Sequence, residues 1–176
     1  TIPIEAAMIG KNIAPGLNRN FVSEKWPRVK KEYWNDARKE AWDLMLKDYK
    51  LNIIGSDIDK KAVKAAKENA ESIGLGEDIS FITSDIRDMK LKNEYGVIIC
   101  NPPYGERIGE KGEVYKLYKD MGKILKTLDT YSIYVLTSNE DFETLYGKRA
   151  DRKRKLYNGR IKVDYYQYYG PRPPKR

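Results

Sequence analysis

Between residues 51 and 169 short apolar runs alternate with amphipathic helical patterns, and that alternation limits the fold more than any other feature of the chain. Residues 51–56, LNIIGS, form an apolar run that enters Asp57-Ile58-Asp59. A helix is predicted over 60–73, with Ala62, Val63, Ala66 and Ala70 on one face and lysines on the other. Asp59 suits its N-cap, and Gly74 and Gly76 its end. Strands are predicted at 79–83 and 95–100. An amphipathic helix follows at 112–128, with Val114, Leu117, Tyr118, Met121, Ile124 and Leu125 inward. A strand at 131–136 and a short helix at 140–146, capped by Ser138, complete the alternation. Such a pattern gives a parallel sheet covered by helices. The end differs. Asn158-Gly159 stands between residues 154–157 and 160–169, and Asn-Gly is the strongest two-residue hairpin signal. Tyr165, Tyr166, Tyr168 and Tyr169 are expected to pack within that hairpin. The fold class is therefore α/β, with a doubly wound sheet that finishes in an antiparallel hairpin.

The 176 residues, 40% of them hydrophobic, suffice for one domain with its own core. That domain is placed at 1–170, with a helical insertion at about 17–50 and a loose basic tail at 171–176. In the insertion Trp26, Trp34, Trp42, Leu44 and Leu46 are spread through charged residues. A helix is predicted over 27–49, with Pro27 in its first turn. The tryptophans are expected to pack against the sheet rather than stack on RNA. No apolar run reaches the length of a membrane span, and no signal-peptide pattern opens the chain. Cys100 is the one cysteine and histidine is absent. A disulfide framework, a cysteine metal site and histidine-based acid–base chemistry are thereby excluded, no metal is expected, and a cytoplasmic address is. The formal net charge of +8 points to an anionic partner such as nucleic acid.

Residues 1–9, TIPIEAAMI, read as the start of a helix with Thr1 near its N-cap. A nucleotide-type cofactor on a parallel sheet needs a glycine-rich turn between the first strand and the first helix. None stands upstream of Asp57, and Gly74-Leu75-Gly76 follows a helix. The chain is expected to begin just after that turn.

Three features carry chemistry, and all fall at the carboxyl ends of predicted strands, where open α/β sheets bind ligands. Asp57, followed by Ile58, ends the first strand, and a carboxylate there can accept hydrogen bonds from both hydroxyls of a ribose. Asp85 ends the second, where it can take an exocyclic amine of adenine while the Ile86 N–H reaches a ring nitrogen. The third strand ends in Asn101-Pro102-Pro103-Tyr104. The prolines fix φ and hold Asn101 extended. The amine of a nucleobase is a poor nucleophile, because its lone pair is delocalised into the ring. The Asn101 side-chain oxygen and the Pro102 carbonyl can hold its two hydrogens and aim the nitrogen at a methyl sulfonium. Tyr104 is placed to stack on a base that has been flipped out or unpaired.

Five blocks, TIPIEAAMIGKNIAPGLNRNF, GSDID, NPPYGER, LTSNEDFETLYGKRADRKRKLYNG and YYQYYGPRPP, resemble the S-adenosylmethionine-dependent RNA methylases that usually carry an N-terminal THUMP domain. That family includes the large-subunit rRNA guanine-N2 methyltransferases and was once described as N6-adenine-specific DNA methylases. The resemblance covers nearly the whole chain. It implies a Rossmann-like class I methyltransferase sheet lacking its first strand, with S-adenosyl-L-methionine as cofactor and RNA, rRNA above all, as partner. It also implies roles: Asp57 for the cofactor ribose, Asp85 and Ile86 for its adenine, Asn101 to Tyr104 for the target amine, and Thr1 as the last residue of the cofactor loop. Against the family pattern the first strand, its Asp-Pro-x-Cys-Gly-Ser-Gly turn and the THUMP domain are absent. Adenine N6, in RNA or DNA, is the alternative target, since it presents the same two hydrogens. A non-catalytic RNA-binding domain is the alternative class, and it would not require the series Asp57, Asp85, Asn101.

Arg149, Arg152, Lys153, Arg154 and Lys155 form a basic cluster before the hairpin turn, suited to phosphate contact or to a solvated surface. The absent strand is expected between those ending at Asp57 and Asn101. A chain without it is expected to close the gap, to borrow a strand from another copy as a homo-oligomer, or to retain a cleaved N-terminal piece.

Overall fold

A computed structural model describes residues 1–91, 94–105 and 111–175. Glu106 and Arg107 of the Asn-Pro-Pro-Tyr-Gly-Glu-Arg block, and Arg176 of the basic tail, lie outside the described residues. The chain forms two compact units, Thr1–Asp85 and Ile86–Arg176.

The first unit begins with α1 (Ile2–Gly10), whose N-cap is Thr1. A 3-10 turn, Val22–Lys25, and α2 (Lys31–Asp43) follow. Then come β1 (Ile53–Asp57), α3 (Lys60–Glu71) and β2 (Ile79–Thr83). β1 and β2 pair in parallel from Ile53 opposite Ile79 to Asp57 opposite Thr83. Asp59 caps α3 as expected, its Oδ1 accepting the Lys61 N–H at 2.8 Å. Gly74, at φ +76°, turns the chain out of the helix, and Leu75 N–H bonds back to the Ala70 carbonyl. Of the face predicted for α3, Val63 and Ala70 are buried and Ala66 partly so, whereas Ala62 is exposed. The core is small: Ala7, Ala70, Leu75 and Ile79, with Ile4, Met8, Ile13, Leu51, Ile53 and Phe81 packed around it.

The insertion departs from expectation. Its helix starts at Lys31 rather than Pro27 and ends at Asp43, and none of its residues is buried. Trp26 and Trp42 are 59% and 45% exposed, and Leu44 and Leu46 are also exposed. Trp34 packs, but on Phe21, stacked at 5.5 Å, and not on the sheet. Arg38 holds the segment together, donating to Glu24 Oε1 at 2.6 Å and to the Arg19 carbonyl at 3.0 Å.

The second unit contains β3 (Gly96–Cys100), α4 (Lys111–Leu125), β4 (Tyr131–Thr137), α5 (Phe142–Tyr146), β5 (Arg152–Asn158) and β6 (Ile161–Tyr168). The strands form one sheet in the order β3-β4-β6-β5. β3 and β4 are parallel, while β6 runs antiparallel to β4 and to β5, which yields the predicted terminal hairpin. The turn sits one residue later than predicted. Asn158 pairs with Ile161, so Gly159-Arg160 form the loop, and Gly159 at φ +62° supplies the positive φ a tight hairpin demands at its first central position. The N-cap of α5 is Asp141 rather than Ser138. Phe142, Tyr146, Tyr118, Tyr166 and Tyr168 form an aromatic core with Val114, Met121, Leu125, Ile133 and Val135. Gly122 is where α4 and α5 meet: a Cβ there would lie 2.0 Å from the Tyr146 carbonyl oxygen.

β1 and β3 belong to separate sheets, and each is an end strand of its own. No helix among the described residues is long and apolar enough to cross a membrane.

Candidate active site

The first unit presents the two acids. The β1–β2 ladder continues one step past Asp57, whose carbonyl accepts the Ser84 N–H at 3.0 Å. Ser56 Oγ donates to the Ser84 carbonyl at 3.3 Å. These bonds bring the Asp57-Ile58 turn beside the Ser84-Asp85 turn at the carboxyl end of the pair. Asp57 Oδ1 accepts the Asp59 N–H at 2.9 Å, which fixes the carboxylate's orientation. Because Asp59 alone caps α3, Asp57 is not consumed as a helix cap. Ile58 beside it is 66% exposed, an apolar side chain left in the open at a strand end. Close approach underlies this corner: a Cβ at Gly55 would meet Phe81 at 2.7 Å and Pro3 at 3.0 Å. Thr1 is exposed at the start of α1, its carbonyl accepting the Glu5 N–H at 3.0 Å. Asp85 is partly buried and closes the unit.

The second unit begins with Ile86, which packs against the aromatic core, and presents the Asn-Pro-Pro-Tyr loop. Pairing of β3 with β4 ends at Cys100 opposite Val135. Beyond it Pro102 and Pro103 have no N–H to offer a ladder. The loop is tied down through its other groups. Tyr104 Oη donates to Asn101 Oδ1 at 2.8 Å, and Tyr118 Oη donates to the Pro103 carbonyl at 2.8 Å. Gly105, at φ +78°, turns the chain against Val114. Among the described residues the Pro102 carbonyl has no hydrogen-bond partner. Asn101 is exposed, and its Oδ1 keeps a second lone pair. Burial pushes the Cys100 thiol up to about 12, so it is held protonated behind the loop.

The comparisons with known proteins decide the family. Residues 1–167 match the family described as RMKL-like, methyltransferase domain. The chain belongs to that family. Over its whole length it is 54% identical to the provisionally named RNA methyltransferase YpsC of Bacillus subtilis, and it spans 46% of that relative. It is 35% identical over 168 residues to ribosomal RNA large subunit methyltransferase K/L of Legionella pneumophila, covering 94% of this chain and 24% of that one. A crystal structure of SMU.472, a provisionally named methyltransferase complexed with SAH, superposes with a TM-score of 0.93 at 45% identity, covering 98% of this chain and 46% of that one. The chain thus spans less than half the length of these relatives.

In this methyltransferase domain Arg152, Lys153, Arg154 and Lys155 of the basic cluster lie along β5, an edge strand exposed at every residue, and Arg149 lies just before it. Lys153 is partly neutralised, 3.9 Å from both Glu143 and Asp164 and 5.4 Å above the Tyr166 ring. Among the described residues Arg149, Arg152, Arg154 and Lys155 form no ion pair. Tyr166 and Tyr168 are buried and Tyr165 stacks on Tyr134, so these pack as predicted, while Tyr169 is half exposed. Sequence reading did not single out Tyr118 and Thr137, whose hydroxyls pair behind the Asn-Pro-Pro-Tyr loop. The available signal was a hydroxyl on the buried face of an amphipathic helix, since a buried phenol needs a partner.

Proposed function

We propose that this domain is the catalytic part of an enzyme that transfers a methyl group from S-adenosyl-L-methionine to the exocyclic N2 amine of a guanine in large-subunit rRNA. The observation that carries the reading is the Asn-Pro-Pro-Tyr loop, whose Asn101 amide is oriented by Tyr104 and whose Pro102 carbonyl is unpartnered among the described residues. Such a loop offers acceptors for the two hydrogens of an amine and needs no histidine base.

The residues of the first unit fit the adenosine part of the cofactor. A carboxylate left out of capping at a strand end matches a pair of ribose hydroxyls, and the exposed Ile58 beside it matches the apolar face of adenine. In this reading Asp85 and the Ile86 N–H take the adenine edge, and Thr1, at the start of α1, serves the rest of the cofactor. The SAH bound by SMU.472 supports this cofactor class. When bound, the cofactor supplies an electrophilic methyl group. The chain's own contribution is positional. Asn101 Oδ1 and the Pro102 carbonyl hold the amine hydrogens and favour a pyramidal nitrogen. Tyr104 keeps the Asn101 oxygen turned toward the amine and offers its ring to the base. Large-subunit rRNA is preferred because the relative from Legionella pneumophila is named a ribosomal RNA large subunit methyltransferase, and guanine because the five sequence blocks resemble the guanine-N2 methyltransferases of that RNA. Arg149, Arg152, Lys153, Arg154 and Lys155 contact RNA phosphates in this reading.

Asn101→Ala in the complete gene product should abolish most transfer while leaving cofactor affinity nearly unchanged, because the side chain acts on the amine and not on the donor. Transfer at the parental rate would remove Asn101 from the chemistry. Mass analysis of nucleosides from the reacted rRNA identifies the base, and N6-methyladenosine in place of N2-methylguanosine would move the target to adenine.

A further inference from the structure

Behind the Asn-Pro-Pro-Tyr loop lies a hydroxyl pair inside an aromatic core. Tyr118 and Thr137 are both 0% exposed. Their oxygens are 2.8 Å apart. The direction of each bond follows from counting protons. Tyr118 has one hydroxyl proton, and the Pro103 carbonyl at 2.8 Å can only accept, so that proton goes to Pro103. The Tyr118–Thr137 contact must then use the proton of Thr137. Thr137 Oγ1 in turn accepts the Asn139 N–H at 3.1 Å. The result is a single directed chain: Asn139 N–H to Thr137, Thr137 to Tyr118, Tyr118 to the Pro103 carbonyl.

Its end point has mechanical consequences. A carbonyl lies in the plane of its peptide unit, so holding the Pro103 oxygen holds the Pro103–Tyr104 peptide plane. The two proline rings fix φ on the upstream side. The plane sets where Tyr104 departs from the backbone, and Tyr104 Oη is the donor that orients Asn101 Oδ1. The loop's own prolines cannot supply this anchor, since neither has an N–H. Packing covers the loop only in part, since Asn101 and Pro103 are exposed while Pro102 and Tyr104 are half-buried.

We infer that Tyr118, backed by Thr137, is a positioning residue for the amine-holding loop: it sets the angle of the Asn101 amide without touching substrate or cofactor. The inference rests on the function proposed above for Asn101. A merely structural role would lower stability and leave turnover per folded molecule alone. A positioning role lowers kcat while KM for RNA and affinity for cofactor stay put.

The test uses the complete gene product, S-adenosyl-L-methionine with a labelled methyl group, and protein-free unmodified large-subunit rRNA, at a temperature where every variant is folded. Tyr118→Phe keeps the ring and removes only the hydroxyl. Its kcat should fall roughly tenfold, the upper scale of one neutral hydrogen bond, with KM and cofactor affinity unchanged. Thr137→Val should give a similar loss, and Thr137→Ser, which keeps the hydroxyl, should restore most of the rate. The double variant Tyr118→Phe with Thr137→Val should be no slower than Tyr118→Phe alone, since the two act as one chain. Full kcat in Tyr118→Phe, or equal losses in Thr137→Ser and Thr137→Val, would overturn the inference. If Tyr118→Phe fails to fold, the comparison of Ser with Val at position 137 decides alone. An inactive Asn101→Ala beside a fully active Tyr118→Phe sinks only this inference. A fully active Asn101→Ala sinks the reading beneath it.

Discussion

The units Thr1–Asp85 and Ile86–Arg176 are similar in length but bury their chains differently. In the second, β4 lies between β3 and β6, and its alternate residues Tyr131, Ile133, Val135 and Thr137 are all buried. In the first, β1 and β2 are both end strands, and of β1 only Gly55 is buried. The apolar residues are present in both. Ile54 and Ile82 of the first unit are about half exposed for want of a layer over them, not for want of hydrophobicity. Burial follows neighbours more than composition. The difference bears on the proposed chemistry. The loop that would hold the target amine stands on an interdigitated aromatic core, whereas the acids that would hold the cofactor stand on a two-stranded ribbon. That ribbon depends on α1 and α3 for its cover.

The contrast can be broken at its strongest point. Phe142→Ala removes the ring that touches Tyr118, Tyr146 and Tyr166, and should cost about 3–5 kcal/mol in denaturant unfolding. Ile79→Val, in the smaller core, should cost only about 0.5–1.5 kcal/mol. Ile133→Val in the larger core is the like-for-like comparison, and equal costs for Ile79→Val and Ile133→Val would mean that the two cores hold a buried methyl equally well. Next in size, Asp57→Ala should weaken S-adenosyl-L-methionine binding by about 1.5–3 kcal/mol, the scale of hydrogen bonds to a charged group. Calorimetry with an unchanged affinity would take Asp57 out of the cofactor site.

A third test uses alkali. Burial pushes the Tyr118 phenol up to about 12, and it raises Tyr146, Tyr166 and Tyr168 as well. The buried apolar residues of the first unit, among those described, include no tyrosine. These phenols are neutral in the folded state, so their stabilisation is intact below the unfolded-state value near 10. Above it the unfolded chain ionises while the folded one resists, and stability falls as pH rises. Each phenol held neutral contributes a fall of about 1.4 kcal/mol per pH unit in that window. Denaturant midpoints for the second unit should therefore drop between about pH 10 and pH 12. A flat profile there would show that the phenols reach water.

Most strands and the faces of α3 and α4 were legible because local pattern decides them: an apolar run must enter a sheet, and a 3.6-residue stripe must face it. Asp59 was legible as a cap for the same local reason. The start of α2 was not. Its N-cap is Lys30, with no side-chain hydrogen bond, so the sequence carries no polar signal there, and Pro27 drew the expectation too early. The exposure of Trp26 and Trp42 could not be read either, since a tryptophan is buried only where the fold supplies a surface to cover it. The hairpin was seen one residue out of register because Asn158 pairs within the strand. Of the site, Asp57, Asp85 and Asn101 stood out at strand ends. Tyr118 and Thr137 did not, because their partnership joins a helix face to a strand end and exists only after both are folded. The basic stretch remains double in meaning: on an exposed edge strand, charge also deters pairing with other chains.

The two adjacent prolines also make the loop chemically one-sided. Over Pro102 and Pro103 the backbone presents oxygen and no N–H, and the neighbouring Asn101 oxygen adds to the same polarity. A group that docks on those oxygens has to bring hydrogens of its own. A base edge carrying a keto oxygen would set lone pair against lone pair, so deamination of the target would turn a substrate into a misfit without changing its size or its ring. In the proposed role the loop would tell nitrogen from oxygen at one position of a base, by the oxygens it presents over Pro102 and Pro103.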